Sequence, residues 1–145
     1  MASPPSPVGA YEPFVRHGEL VAVSAISSSR DGAMIAGKVG RDLSFEDGCD
    51  AARRAAENLL AVLLDAAGGD ESAVLKILIV RGQVNASDDF ASVHKVIDAA
   101  SELLIARLGD KGRHARTAIG CSTLPNGNAV TLEALAIVGH GAAQS

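Results

Sequence analysis

Tryptophan is absent, and the chain holds one tyrosine and three phenylalanines. A surface that stacks nucleic-acid bases on aromatic rings is therefore excluded, and the core has to be built from alanine, valine, leucine and isoleucine. Positive charge is also in short supply. Thirteen Lys and Arg stand against seventeen Asp and Glu, a formal net charge of -4. Only Arg53 and Arg54 adjoin, and no basic run is present, so the clustered cations that neutralise phosphates are lacking and no nucleic-acid partner is expected. There are two cysteines, Cys49 and Cys121, far apart and without metal or redox spacing. They read as two reduced thiols of a cytoplasmic protein, and no metal and no cofactor is expected. No apolar stretch nears the roughly 18–20 residues that span a bilayer, so no membrane partner is expected. The start, "MASPPSPVGAYEP", lacks the basic opening and apolar centre of a signal peptide.

The hydrophobic share is 48% and the charged share 21% over 145 residues, the proportions and size of one folded domain. Residues 1–9, rich in Pro and Ser, read as a flexible arm, residues 10–139 as the domain, and 140–145 as a flexible tail. "FVRHGELVAVSA" reads as two strands around a His17-Gly18 turn, with Val21, Val23 and Ala25 alternating with Ala22 and Ser24. Asp31-Gly32 is a two-residue turn signal, after which "MIAGKVGRDL" is expected to return as an edge strand. Ser44 caps a helix with Glu46 and Asp47 in its first turn, and Gly68-Gly69 ends it. "AVLKILIVRG" is a central strand, and Ser87 to Leu108 a second helix with the stripe Phe90, Val93, Ile97, Ala100, Leu104 and Leu108. The glycines at 37, 40, 68, 69 and 82 are read as following turns and helix ends. "HARTAIGCSTLPNGNAVTLEALAIV" closes the chain as a hairpin turning through Leu124 to Asn128.

This order predicts an α+β fold, a mixed sheet with both helices on one face. The other face keeps apolar side chains, which a second subunit would have to cover. One oddity remains in the last segment. Arg116 sits in a strand beside residues as small as Ala115, Ala118 and Gly120, where a core-filling strand would take valine or isoleucine. The bland reading is an interface ion pair with Glu133 or Glu12.

The chain resembles the Rid family of reactive-intermediate deaminases, also called the YjgF family. The likeness rests on "YEPFVRHGELVAVSA", "AARRAAENLLAVLLDAAGGDESAVLKILIVRG", "DDFASVHKVIDAA" and "ARTAIGCSTLPNGNAVTLEALAIV", which together span most of Tyr11 to Val138. The resemblance implies a chorismate-mutase-like fold, a homotrimer, and ligand clefts between subunits. It implies hydrolysis of enamines or imines to a ketone and ammonia, with Arg116 holding the carboxylate of a small ligand. It places Tyr11, Ser24, Ala25 and Gly120 around the ligand. Aligned through Leu124-Pro125, the water-positioning acid of the family falls on Thr131. Glu133 lies two residues on, roughly 6–7 Å along a strand, and a two-residue shift in the turn would make it the acid instead. Further departures are Ser24-Ala25-Ile26 where the family has Ser-Gly-Gln, Ala118 where several members have cysteine, and His94 where they have asparagine. The alternatives are a trimer that binds or senses a carboxylate without turnover, or a biosynthetic catalyst acting on another imine-like intermediate. Some members are described as endoribonucleases, an activity that the acidic balance argues against here.

Overall fold

Ser44 starts the longer helix by a reciprocal cap. Its hydroxyl accepts from the Asp47 N–H, and the Asp47 carboxylate accepts from the Ser44 N–H, both at 3.0 Å. The helix α1 (Phe45–Ala66) is lined on its buried side by small residues and leucines, Ala52, Ala56, Leu59 and Leu63 among them. Gly68 and Gly69, at φ 67° and 86°, let the chain turn away after it, a backbone region that costs glycine little. The computed structural model describes residues 3–7 and 9–140. Residues 1, 2 and 8 of the expected arm and 141–145 of the expected tail lie outside the described residues.

The strands are β1 (Phe14–His17), β2 (Leu20–Ser27), β3 (Val74–Asn85), β4 (Ala115–Cys121) and β5 (Val130–Val138). They form one mixed sheet in the order β1-β2-β5-β3-β4, in which only β3 and β4 run parallel. That parallel pair needs a long crossover, and the second helix, α2 (Val93–Leu108), supplies it. On β5, Val130, Leu132, Ala134, Ala136 and Val138 are buried beneath the helices, while Glu133, Leu135 and Ile137 are half-exposed on the opposite face. The alternation gives each strand one covered and one open face. Reading across the sheet, one row of the open face runs Val15, Ala22, Leu135, Ile79, Ala115, and another Ser27, Thr131, Gln83, Ile119. Val15 and Ile119 are 60% and 48% exposed.

Four expectations need correction. First, no strand forms over "MIAGKVGRDL". Gly37 and Gly40 adopt φ 127° and 95°, which breaks extended backbone, and the Lys38 carbonyl gathers the N–H groups of Arg41, Asp42 and Leu43 into a turn. Second, the helix after β3 begins at Val93, not Ser87. Ala86 and Ser87 spend their N–H groups on the carbonyls of Cys121 and Val39, and the Ser87 hydroxyl bonds Asp89 at 2.9 Å, a local alternative to a helical turn. Third, β4 and β5 are not a hairpin, because β5 inserts between β2 and β3 and both its edges are filled. Fourth, Gly82 lies within β3 and follows no turn. A Cβ there would sit 2.6–2.9 Å from three carbons of Ile97 on α2, so the glycine is what lets that helix come close.

The close approach of α2 explains the small residues around Arg116. Arg116, Ala118 and Gly120 share the helix-facing side of β4, in register with Val80, Gly82 and Val84. A Cβ on Gly120 would already be 3.3 Å from Val93. A valine or isoleucine stripe there would push α2 off the sheet.

Candidate functional site

The sheet is irregular where β2 meets β5. Val23 faces Ala134 and Ile26 faces Leu132, so Ser24 and Ala25 together stand opposite Glu133 as a bulge. The bulge is tied to the incoming chain. The Ser24 hydroxyl donates to the Glu12 carbonyl at 2.6 Å, and the Ser24 N–H to the Pro13 carbonyl at 3.0 Å. This staple sets Tyr11 beside β2. Next to it opens a cavity of about 330 Å³ whose wall includes Tyr11, Ser24, Ala25 and Thr131. The Pro5-Ser6-Pro7 stretch of the arm and the Leu124-Pro125 turn line it as well.

Gln83 and Asn128 are among the wall residues that were not foreseen. The Thr131 hydroxyl donates to Gln83 Oε1 at 2.8 Å, across the open face of β3 and β5. Asn128 fixes its amide by donating from Nδ2 to the Pro125 carbonyl at 2.9 Å, and its Oδ1 is buried with no hydrogen-bond partner among the described residues. A buried acceptor left in that state is costly, and a donor on a bound molecule would relieve it. The sequence signal for Gln83 was a lone amide interrupting an apolar strand. For Asn128 it was only a turn composition. Among the described residues that line the cavity, no side chain other than the Tyr11 phenol is ionisable.

The remaining candidates stand elsewhere in the single chain. Glu133 shares the open face with Thr131 but is not on the cavity wall, and its cross-strand neighbour is Arg81. Gly120 faces α2. Arg116 also faces α2, where its Nη1 donates to Asp98 Oδ1 at 2.7 Å and to Ser101 Oγ at 3.2 Å. Within the chain its ion-pair partner is Asp98, on α2. Asp98 and Ser101 went unnoticed because an acid and a serine one helical turn apart look like ordinary solvated positions.

His114, just ahead of β4, is half-buried and bonded on both nitrogens, Nε2 to Ser101 Oγ at 2.9 Å and Nδ1 to the Gly112 carbonyl at 2.5 Å. Burial lowers its pKa, with the Arg116 and Lys76 charges adding to the effect and the Gly112 contact opposing it. The Cys49 thiol, buried in α1, is pushed up by burial. Neither cysteine is bridged. Among the described residues no group of three or more His, Cys, Asp or Glu is placed to hold a metal ion, and no helix is long and apolar enough to cross a membrane.

Comparison with known proteins agrees with this architecture. Residues 3–138 match the family described as "YjgF/chorismate_mutase-like". Protein TCP17 of Trypanosoma cruzi is 33% identical over 132 residues, 90% of this chain and 82% of its own. A crystal structure of a protein of unknown function from Agrobacterium tumefaciens is 35% identical, covering 88% of this chain and 82% of that one, with a TM-score of 0.86. At 19% identity and a TM-score of 0.69, E. coli TdcF with bound serine shares the fold, over 92% of each chain.

Proposed function

The chain belongs to the YjgF/chorismate mutase-like family, and from that premise we propose that it takes small carboxylates bearing an enamine or imine into a cleft between subunits and hydrolyses them to a ketone and ammonia. The observation that carries the reading is the convergence of Tyr11, Ser24, Ala25 and Thr131, distant in sequence, on one cavity with Gln83. Its volume suits a small metabolite, which such pockets bury in mostly apolar surroundings with a few fixed polar groups. The wall carries no cation for a carboxylate, so a second copy must bring one, and Arg116 is the guanidinium on this reading. The exposed apolar row on the open face gives copies a reason to associate, as a closed homotrimer on this proposal. The serine held by E. coli TdcF has the size and the carboxylate this cleft would take.

The chemistry asks little of the protein. Water adds to the carbon of a protonated imine, one of its protons passes to nitrogen, and the C–N bond breaks as the remaining hydroxyl proton is taken by the departing ammonia, giving the ketone and ammonium with no cofactor needed. The Thr131 hydroxyl donates its hydrogen bond to Gln83, so its oxygen is left to accept a hydrogen bond from the attacking water. A threonine hydroxyl orients water but is no base near neutral pH. Catalysis then comes from holding the carboxylate and water in line. In a reducing, cytoplasmic setting Cys49 and Cys121 stay as thiols.

The uncharged wall favours a second reading, in which the same trimer binds a carboxylate without turning it over. An imine-hydrolysis assay separates the two. An amino-acid oxidase generates the imino acid, semicarbazide competes for it, and native protein is compared with Arg116→Ala and Thr131→Glu. Hydrolysis by native protein that falls roughly 10–100-fold in Arg116→Ala supports the deaminase, as expected for one charge-assisted bidentate contact. Inert native protein with activity gained in Thr131→Glu supports the binding trimer.

A further inference from the structure

Arg116 does not extend freely from β4. Its Nη1 bonds Asp98 and Ser101, and its Nη2 donates to the His94 carbonyl at 3.3 Å, so all three anchors lie on α2. Ser101 is itself fixed. A carbonyl only accepts, so the Gly112 contact puts the hydrogen of His114 on Nδ1 and leaves Nε2 to accept from the Ser101 hydroxyl. Ser101 therefore gives its proton to His114 and takes a hydrogen bond from Arg116. From Arg116 the donors run one way through Ser101 and His114 to the Gly112 carbonyl, while the other Nη1 hydrogen points the opposite way, to Asp98.

The way the guanidinium is divided is the informative part. Both Nη1 hydrogens go to the protein, whereas Nε makes no hydrogen bond among the described residues. The edge formed by Nε and Nη2 is the side-on fork that receives a carboxylate through two parallel bonds. Asp98 is half exposed, and a pair of that kind adds little to folding. What it does is engage Nη1, which leaves Nε, and the Nη2 hydrogen not given to His94, without a partner among the described residues.

We propose that Asp98 and Ser101 are positioning residues that hold Arg116 by Nη1 and present its Nε–Nη2 edge to a ligand carboxylate, and that His114, through Ser101, makes this hold depend on pH. The inference rests on the reading of Arg116 as the carboxylate clamp. A second proton on His114 turns Nε2 from acceptor to donor. Ser101 must then rotate, and a cation appears beside Arg116. The charged groups on the elements packed around His114 are Arg116 on β4, Lys76 on β3, Asp98 on α2, and the Asp110–Arg113 pair of the preceding turn. Lys76 Nζ is held by the Asp110 carbonyl at 2.9 Å, so it stays near as His114 titrates.

Calorimetric titration with pyruvate as the carboxylate probe tests this in the full chain, at about pH 7.5 and about pH 5.5, either side of the ordinary imidazole range. We expect Arg116→Ala to lose binding and Asp98→Asn to bind about tenfold more weakly at an unchanged melting temperature. Asp98→Glu should recover part of the affinity. Native protein should bind more weakly at the lower pH, and Ser101→Ala should erase that difference. If Asp98→Asn does not fold, Asp98→Glu and Ser101→Ala carry the test. Loss of binding in Arg116→Ala, with native affinity and native pH dependence in the Asp98 and Ser101 variants, overturns the inference and leaves the clamp standing. Equal binding by Arg116→Ala and native protein overturns the clamp and this inference together.

Discussion

Replacing Gly82 by alanine puts a methyl group where α2 already sits. The new carbon would lie 2.6 Å from Ile97 Cδ1, 2.8 Å from Cγ1 and 2.9 Å from Cγ2. All three outer carbons of one fully buried side chain are involved, so swinging the Cδ1 end aside does not clear the overlap, and the branched side chain or its helix must shift. Overpacking of this kind costs roughly 1–3 kcal/mol. Alanine recovers about 0.4–1 kcal/mol by restricting the unfolded chain, leaving a net loss of about 0–2.6 kcal/mol, centred on about 1.3 kcal/mol. For a chain of this length that lowers the melting temperature by about 5 °C. Calorimetry at one fixed protein concentration measures it, since association would otherwise move the midpoint. The cycle with Ile97→Ala sharpens the test. Ile97→Ala alone leaves a cavity and costs about 2–5 kcal/mol, while in the double variant the Gly82→Ala methyl partly fills it. The two changes together should be less damaging than their sum by about 1 kcal/mol or more. If Gly82→Ala melts at or above the native temperature, the glycine is not what admits α2, and the account of the small residues around Arg116 fails.

Other variants probe different parts of the fold. Ser44→Ala removes the α1 cap and should cost about 1 kcal/mol in urea unfolding, with Ser44→Asp close to native. Arg16 donates to the carbonyls of Ala66, Val138 and Gly139 at 2.8–3.1 Å, joining the end of α1 to the end of β5. Arg16→Met should lower stability by about 2 kcal/mol by leaving those carbonyls without their cation, a loss read as a lower urea midpoint. The His114 pKa lies below its ordinary 6.5 in the folded state, so the unfolded chain binds the extra proton over the interval between the two values. Native protein therefore loses stability as the pH falls through 6.5 toward the folded value. His114→Gln cannot take that proton, and its urea midpoint should change less between about pH 7.5 and pH 5.5.

Much of the fold was legible because its signals are local. Ser44 with Asp47, Gly68-Gly69, and the apolar run after Ala73 each declare a boundary through neighbours a few residues away. Where two local signals competed, the reading slipped. The Asp31-Gly32 turn does form, with Arg30 and Ala33 exchanging both backbone bonds, yet no strand follows because Gly37 and Gly40 bend the chain. At Ser87 the helical stripe was right from Val93 onward, while backbone bonds to Val39 and Cys121 held the preceding turn out of the helix. The site was legible by residue type and less so by placement. Tyr11, Ser24, Ala25 and Thr131 do share a cavity. Nothing local said that Gln83 and Asn128 would join them, or that Asp98 would hold Arg116.

The sequence alone determined the α+β class, the two helices, five strand segments of the six it suggested, and the family. Those follow from periodicity, caps and motif order, which act over a turn or two of chain. Tertiary structure decided that β5 enters between β2 and β3 and that Gly82 admits α2. It also put Arg116 and Thr131 on opposite faces of the sheet. Each of those depends on pairing between segments tens of residues apart, where strand order and the steric room beside one glycine settle which side chains meet.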